Sequence, residues 1–248
     1  MTLKGKVALV TGSSEGLGRA ILEKFASQGA DVVINYHSDA AGAEAVEKAV
    51  RAEGVRALSV QADASAPDGI KSLFDAAMNE FGKIDIVVAN AGIEIVNINV
   101  ADFTDDDYER LIRINTKGSF YVLREAARRI SDNGRIITIS SNTTTVPQVG
   151  VGAYGGSKIA TNYLVRVLAL ELGPRGITVN TVIPGPIDGA GIFTDPKVNV
   201  EYRQSLIATI PLGRMGTVQD VAGVTGFLAS DDAGLITGQQ LVADGGMH

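Results

Sequence analysis

The chain of 248 residues has no cysteine and no tryptophan. Without cysteine there are no disulfides, no thiolate metal sites and no cysteine nucleophile. Its only histidines are His37 and His248, too few for a multi-histidine metal site. No apolar run approaches the roughly 18 residues that a membrane-spanning helix needs. The opening stretch MTLKGKVALVTG has a short apolar segment and none of the architecture of a signal peptide. Basic residues are in deficit, with 22 Lys and Arg against 28 Asp and Glu and a formal net charge of −6. That balance argues against a nucleic-acid surface, where affinity rests on basic patches. The expectation is a soluble, cytoplasmic protein with no metal, no membrane and no nucleic acid among its partners.

What is present is 45% hydrophobic residues, distributed in a regular alternation. Short β-branched runs at 6–11, 31–36, 56–63, 83–92, 134–140, 176–184 and 239–244 read as strands. Between them lie helical patterns at 17–29, 39–54, 67–82, 104–129, 153–172 and 218–229. Pro67 suits a first helical turn and Gly82 a helix end. Asp105, Asp106 and Asp107 complement a helix dipole at its positive end. Strands alternating with helices imply βαβ units. The reading is therefore an α/β fold: a Rossmann-type, doubly wound parallel sheet of about seven strands with helices on both faces. Ligands of such sheets bind at the carboxyl ends of the strands. No linker or repeat divides the chain, so residues 1–248 read as one domain. The proline-marked region at about 186–215 reads as an irregular substrate loop or lid.

Four local signals carry chemistry. The run TGSSEGLG, Thr11 to Gly18, joins the first strand to the first helix and holds Gly12, Gly16 and Gly18. Glycines there let the backbone approach a pyrophosphate, which the helix N-terminus favours; a tight turn with no ligand is the plainer alternative. In YGGSK, Tyr154 and Lys158 lie four apart and share a helix face. An ammonium beside a phenol lowers the phenol's pKa, although exposed Tyr–Lys pairs are common. Ser141 ends the fifth strand and could hydrogen-bond a substrate oxygen. Asn115 interrupts the long helix 104–129, where its amide competes with the backbone.

In this order and spacing, the sequence resembles the short-chain dehydrogenase/reductase family over essentially its whole length. The family's T-G-x-x-x-G-x-G stands at Thr11–Gly18, its acidic residue after the third strand at Asp63, and its N-A-G at Asn90-Ala91-Gly92. Asn115, Ser141, Tyr154 and Lys158 match the family's catalytic set, Pro184-Gly185 its P-G, and Asp244–Gly246 a closing D-G-G. The branch holding trihydroxynaphthalene-type and acyl-carrier-protein-type ketoreductases is most similar, with glucose dehydrogenases also near. Two departures stand out. Ala89 replaces a further Asn, and no Thr follows at the expected place after Pro184-Gly185-Pro186, unless Thr194 serves.

The resemblance implies reversible hydride transfer between a nicotinamide cofactor and a ketone or secondary alcohol. Tyr154 would move the proton, Lys158 would lower its pKa and bond the ribose, Ser141 would stabilise the oxyanion, and Asn115 would hold a water. Nucleotide contacts are assigned to Gly12, Ser14, Glu15, Gly16, Leu17, Gly18, Asn35, Tyr36, His37, Ser38, Asp63, Ala64, Asn90, Ala91, Gly92, Tyr154, Lys158, Pro184, Gly185 and Ile187. The end of the second strand, Asn35-Tyr36-His37-Ser38, lacks the Asp that accepts from a ribose 2′-OH. Its neutral donors suit a 2′-phosphate, so NADP(H) is expected. Glu15 would repel that phosphate and keeps an NAD(H)-preferring alcohol or sugar dehydrogenase open. A catalytically silent, nucleotide-sensing regulator is the reading from another class; the complete Tyr154–Lys158 set weighs against it. Two apolar faces on the helix 153–172 lead to the expectation of a homotetramer.

Overall fold

The computed structural model describes residues 2–197 and 200–247. Its strands are β1 (Val7–Val10), β2 (Asp31–Tyr36), β3 (Ala57–Gln61), β4 (Ile86–Ala89), β5 (Arg135–Ile139), β6 (Thr178–Pro184), β7 (Ile187–Asp188), β8 (Gly216–Thr217) and β9 (Gln240–Ala243). The helices are α1 (Gly16–Ser27), α2 (Ala40–Ala52), α3 (Pro67–Phe81), α4 (Asp105–Leu111), α5 (Ser119–Arg129), α6 (Gly152–Leu172), α7 (Val200–Ile207) and α8 (Val218–Ala229). Seven strands form one sheet in the order β3-β2-β1-β4-β5-β6-β9, and every pairing in it is parallel. The expected Rossmann-type sheet is the observed one.

Alternation along each strand builds two cores. Ala8 and Val10 of β1 face a layer with Ile21 and Phe25 of α1, Val46 of α2 and Leu228 of α8. Val7 and Leu9 face Ile70 and Phe74 of α3, Leu123 of α5 and Val165 of α6. Each large side chain so buried contributes about 1.5–3 kcal/mol. The direction of winding reverses between β1 and β4, which pair as Val10 with Val88. A crevice opens beyond their carboxyl ends, and this is where such sheets bind ligands.

Helix ends follow local chemistry. Pro67 opens α3, and Gly82 closes it at φ 74°. Asp39 caps α2 by accepting from Gly42 N at 2.9 Å. Thr217 and Asp220 form a reciprocal capping box on α8. By contrast, α1 has no side-chain cap, so its first N–H groups stay available to the crevice.

The structure corrects two sequence-based expectations here. The long helix expected over 104–129 is interrupted by a π-helical stretch, Ile112–Gly118, between α4 and α5. That stretch holds Asn115, and wider turns of this kind release backbone from the regular ladder and gather at functional sites. The region after β6, expected to be irregular, contains β7, α7 and β8. Arg203 of α7 pins it by donating to Asp188 Oδ1 at 2.6 Å, the Phe193 carbonyl at 2.6 Å and the Asp195 carbonyl at 3.0 Å. Among the described residues, no helix is long and apolar enough to cross a membrane. Nor does any group of three or more His, Asp or Glu among them stand where it could hold a metal ion.

Candidate active site

The three glycines of the first loop serve different needs. Gly12 has φ +61°, and a Cβ on it would come 3.0 Å from the Ala91 Cα. A Cβ on Gly18 would collide with the Gly12 carbonyl oxygen, so Gly18 lets α1 pack onto the loop. Gly16 has φ +54°, and the nearest atom to its missing Cβ is the Gly189 carbonyl at 3.8 Å. It therefore sits at an open face, where the uncapped N–H groups of α1 point into the crevice. Donors and a positive dipole end in a glycine-lined cradle fit a pyrophosphate.

Side chains lock this loop to the neighbouring strand ends. Thr11 Oγ1 accepts from Asn90 N and Ala91 N, both at 3.1 Å. Asn90 Nδ2 donates to the carbonyls of Thr11 at 2.9 Å and Gly12 at 3.0 Å. Asn35, expected to contact the nucleotide, is buried instead. Its Oδ1 accepts from Gly12 N at 3.0 Å and its Nδ2 donates to the Ala62 carbonyl at 3.0 Å. With both ends of the amide engaged, Asn35 holds the loop in place.

A cleft of about 640 Å³ runs from this cradle to Tyr154. Every residue assigned from sequence to the nucleotide or the chemistry lines it, except Asn35 and Asn115. At one end lie Tyr36, His37, Ser38 and Asp63. Asp63 Oδ1 accepts from Ser65 N at 2.8 Å and Ser65 Oγ at 2.7 Å. Partial burial works to raise the Asp63 pKa, but these two bonds, with His37 and Arg113 nearby, leave it below the usual carboxylate range. At the far end Gly185 packs on Asp244, where a Cβ would meet the aspartate Cβ at 2.7 Å. Asp244 Oδ1 in turn accepts from Gly246 N at 3.0 Å and Met247 N at 3.2 Å, which explains the closing D-G-G. Thr194 lines the cleft, with its hydroxyl donating to the Gly191 carbonyl at 2.8 Å.

The residues expected to carry the chemistry come from the end of β5, the π-helical stretch and α6. Ser141 follows β5, and its Oγ accepts from Thr143 Oγ1 at 3.0 Å. Tyr154 and Lys158, one turn apart on α6, are both buried. Lys158 Nζ is 3.4 Å from the Ile139 carbonyl that accepts its hydrogen bond. Burial lowers the Lys158 pKa to about 8, against an opposing pull from Glu94. The Tyr154 phenol moves the other way. Burial and the nearby Glu94 charge raise it above its ordinary value, and hydrogen bonding with Ser141 offsets them only in part. Lys158, expected to lower the Tyr154 pKa, is not among the groups that shift it, and desolvation sets the direction.

Asn115 stands behind this pair rather than in the cleft. Its Oδ1 accepts from Ile93 N at 2.8 Å, and its Nδ2 donates to the Ile93 carbonyl and Ser157 Oγ, both at 2.9 Å. Ser157 Oγ donates to the Tyr154 carbonyl at 2.7 Å. The Asn115 side chain, expected to hold a water, is bonded to protein atoms on both sides of its amide.

Among the polar residues of the cleft that were not anticipated are Glu94, Arg110 and Arg113. For Glu94 a signal was present, since it is a lone carboxylate in the apolar run Ile93-Glu94-Ile95-Val96 just after N-A-G. Of the apolar and hydroxyl side chains Thr143, Val146, Val149, Ile95, Ile192 and Phe193 in the neighbouring loops, only Phe193 lines the cleft.

Comparison with known proteins agrees with this geometry. A family model described as enoyl-(acyl carrier protein) reductase matches residues 12–248. A versicolorin reductase of Emericella nidulans is 42% identical, with 98% of this chain and 96% of the relative covered. An NADPH-dependent aldehyde reductase-like, chloroplastic protein of Arabidopsis thaliana is 41% identical, covering 99% of this chain and 95% of the other. The solved structure of a short-chain dehydrogenase/reductase from Serratia marcescens has a TM-score of 0.92 at 38% identity, covering 100% of this chain and 99% of that one. A blue fluorescent protein from a metagenomic library, solved in complex with NADPH, has a TM-score of 0.93 at 38% identity, with the same coverage. The chain belongs to the short-chain dehydrogenase/reductase family. It is an oxidoreductase.

Proposed function

We propose that this enzyme reduces a ketone to a secondary alcohol, reversibly, using NADP(H). The observation that carries the reading is the pairing of the Ser141 and Tyr154 hydroxyls at one wall of the cleft, with the Lys158 ammonium buried beside them. When bound, the nicotinamide supplies the hydride that goes to the carbonyl carbon. Ser141 donates a hydrogen bond to the carbonyl oxygen and stabilises its developing charge. Tyr154, kept protonated by its burial, gives its proton to that oxygen. In the oxidation direction the same phenol oxygen takes the proton back from the alcohol, so the raised pKa bears on both directions alike. Lys158 offers positive charge to the ribose and to the tyrosine oxygen after transfer.

NADP(H) is supported by the neutral, hydroxyl-bearing stretch Tyr36-His37-Ser38 at the end of the cleft, and by the NADPH named for two of the similar proteins above. Glu15 lines the same end and favours the second reading, NAD(H) use. Residues 1–248 are taken as one nucleotide-binding domain with the 186–215 region as its substrate lid. A homotetramer is part of the proposal. Tyr108, Phe120, Ile159 and Tyr163 are exposed on α4, α5 and α6, and apolar surfaces of this kind are usually covered by a partner.

The test is Tyr154→Phe, assayed on a ketone panel with NADPH and with NADH. Loss of the general acid lowers turnover by about a hundredfold or more. Near-wild-type turnover in that variant, or a clear wild-type preference for NADH, counts against the respective half of the proposal.

A further inference from the structure

Glu94 is the unexplained group of the cleft. It follows β4 by five residues and lies beside the reaction centre, since Gly92, two residues earlier, packs against both Lys158 Nζ and Asn115 Oδ1. Its Oε2 reaches across the cleft and accepts from Ile192 N, on the lid, at 3.1 Å. That oxygen occupies the place a Cβ on Gly191 would take, and Gly191 has φ +56°. The lid backbone is therefore shaped around this carboxylate. Oε1 makes no hydrogen bond or ion pair among the described residues and is open to the water of the cleft. Beyond it stand Phe193, which lines the cleft, and Tyr202 of α7, whose rings stack with centroids 5.9 Å apart.

We propose that Glu94 is a specificity-determining residue of this cleft: its free carboxylate oxygen selects carbonyl substrates that carry a hydroxyl donor near the reacting carbon, and turns away those that carry a carboxylate there. The proposal rests on the ketone-reductase reading and deepens it. A hydroxyl donating to a partly desolvated carboxylate makes a charge-assisted bond, stronger than a neutral one. Without that donor, the carboxylate stays desolvated and unpaired, and the cost falls on the substrate lacking it. An anionic group at the same place meets like charge in a cleft that water screens poorly. The charge is felt throughout the site, because Glu94 raises the pKa values of Tyr154, Lys158 and Tyr202. Its own pKa is raised by burial, with the Ile192 N–H and Lys158 opposing the rise.

The experiment uses the full chain with NADPH and three substrate sets of equal size. The first is hydroxyketones with the hydroxyl one, two or three carbons from the carbonyl, beginning with 1-hydroxy-2-butanone. The second is their methyl isosteres, beginning with 3-pentanone, and the third the matching keto acids, beginning with 2-oxobutyrate. For at least one hydroxyl position, wild-type kcat/KM is expected to exceed that of the isostere about tenfold or more, with the keto acid poorest. In Glu94→Gln, which keeps an acceptor for Ile192 N and removes the charge, the hydroxyketone advantage should collapse towards one and the keto acid should gain. If Glu94 only fastens the lid, the wild type shows no hydroxyl preference, Glu94→Gln leaves all ratios unchanged and Glu94→Ala lowers all three sets equally. That pattern overturns this proposal alone. Silence with every carbonyl overturns the ketone-reductase reading and this proposal together.

Discussion

Asn35 offers the sharpest test of how the cleft is built. Its amide gives an acceptor to Gly12 N and a donor to the Ala62 carbonyl, both at 3.0 Å, the first bond part-buried and the second buried. Asn35→Ala leaves both backbone groups without that partner, and each lost buried bond costs about 1–3 kcal/mol. A total of about 2–6 kcal/mol is a large share of a net stability of about 5–15 kcal/mol. Asn35→Asp is more discriminating. The new carboxyl matches the amide in shape and still accepts from Gly12 N, but once ionised it cannot donate to the Ala62 carbonyl. Burial and the facing carbonyl oxygen raise its pKa in the folded state above the unfolded value of about 3.9. A raised folded pKa means that the variant is least destabilised below about pH 4 and loses stability as pH rises through the folded pKa. A rise of about three units corresponds to about 4 kcal/mol lost by neutral pH. Urea unfolding followed by circular dichroism at pH 4.5 and 7.5 reads this, with the wild type as reference at each pH. If Asn35 instead faced the nucleotide, the variant would be as stable as wild type at pH 7.5 and would switch preference to NADH by accepting from the ribose 2′-OH. That outcome refutes the structural role argued here.

Three further outcomes are expected. Because the Lys158 pKa is lowered to about 8, its charge is present below that pH and lost above it; kcat/KM for the nucleotide, which reports ionisations of the free enzyme, should fall as pH rises through about 8, and a profile flat to pH 10 would contradict this. Glu15→Arg should raise the NADPH-to-NADH efficiency ratio about tenfold by replacing repulsion with a charge-assisted bond, while placing a cation at the N-terminus of α1 costs about 0.3–1 kcal/mol in a melting experiment; an unchanged ratio removes Glu15 from cofactor choice. Light scattering at micromolar concentration should give a multiple of the 25.8 kDa chain, and a monodisperse species at that mass would rule out the tetramer.

The parts legible in the sequence are those fixed by near neighbours. Parallel strands buried on both faces read as apolar runs, so β1, β2, β5 and β6 are found close to their true bounds. Pro67 and Gly82 mark α3 because each acts through its own φ. Asn115 shows as an anomaly for the same reason, being a poor residue for a helix interior. The π-helical stretch around it does not, because seven residues cannot separate its period from that of an α-helix. Helix α7 hides between Pro196 and Pro211; its anchor, Arg203, bonds to Asp188 and to the carbonyls of Phe193 and Asp195, partners that spacing does not reveal.

Residue type and residue role part company where the partner is distant. Asn35 stands at the strand end where a nucleotide-reading residue belongs, yet its amide bonds to Gly12, 23 positions away, and to Ala62, 27 away. Glu94 lies two residues beyond a recognised motif, and its backbone partner Ile192 is 98 positions on. The motif fixes the backbone at Gly92 because Lys158 and Asn115 crowd it. It says nothing of what the next side chains meet, since that depends on the segment around Ile192, from another part of the chain. The nucleotide half of the cleft is made of strand ends and one helix start, so local signals describe it well. The other half is lined by the loop after β4 and the segment after β6, which only the folded chain brings together, and there the structure adds what the sequence leaves open.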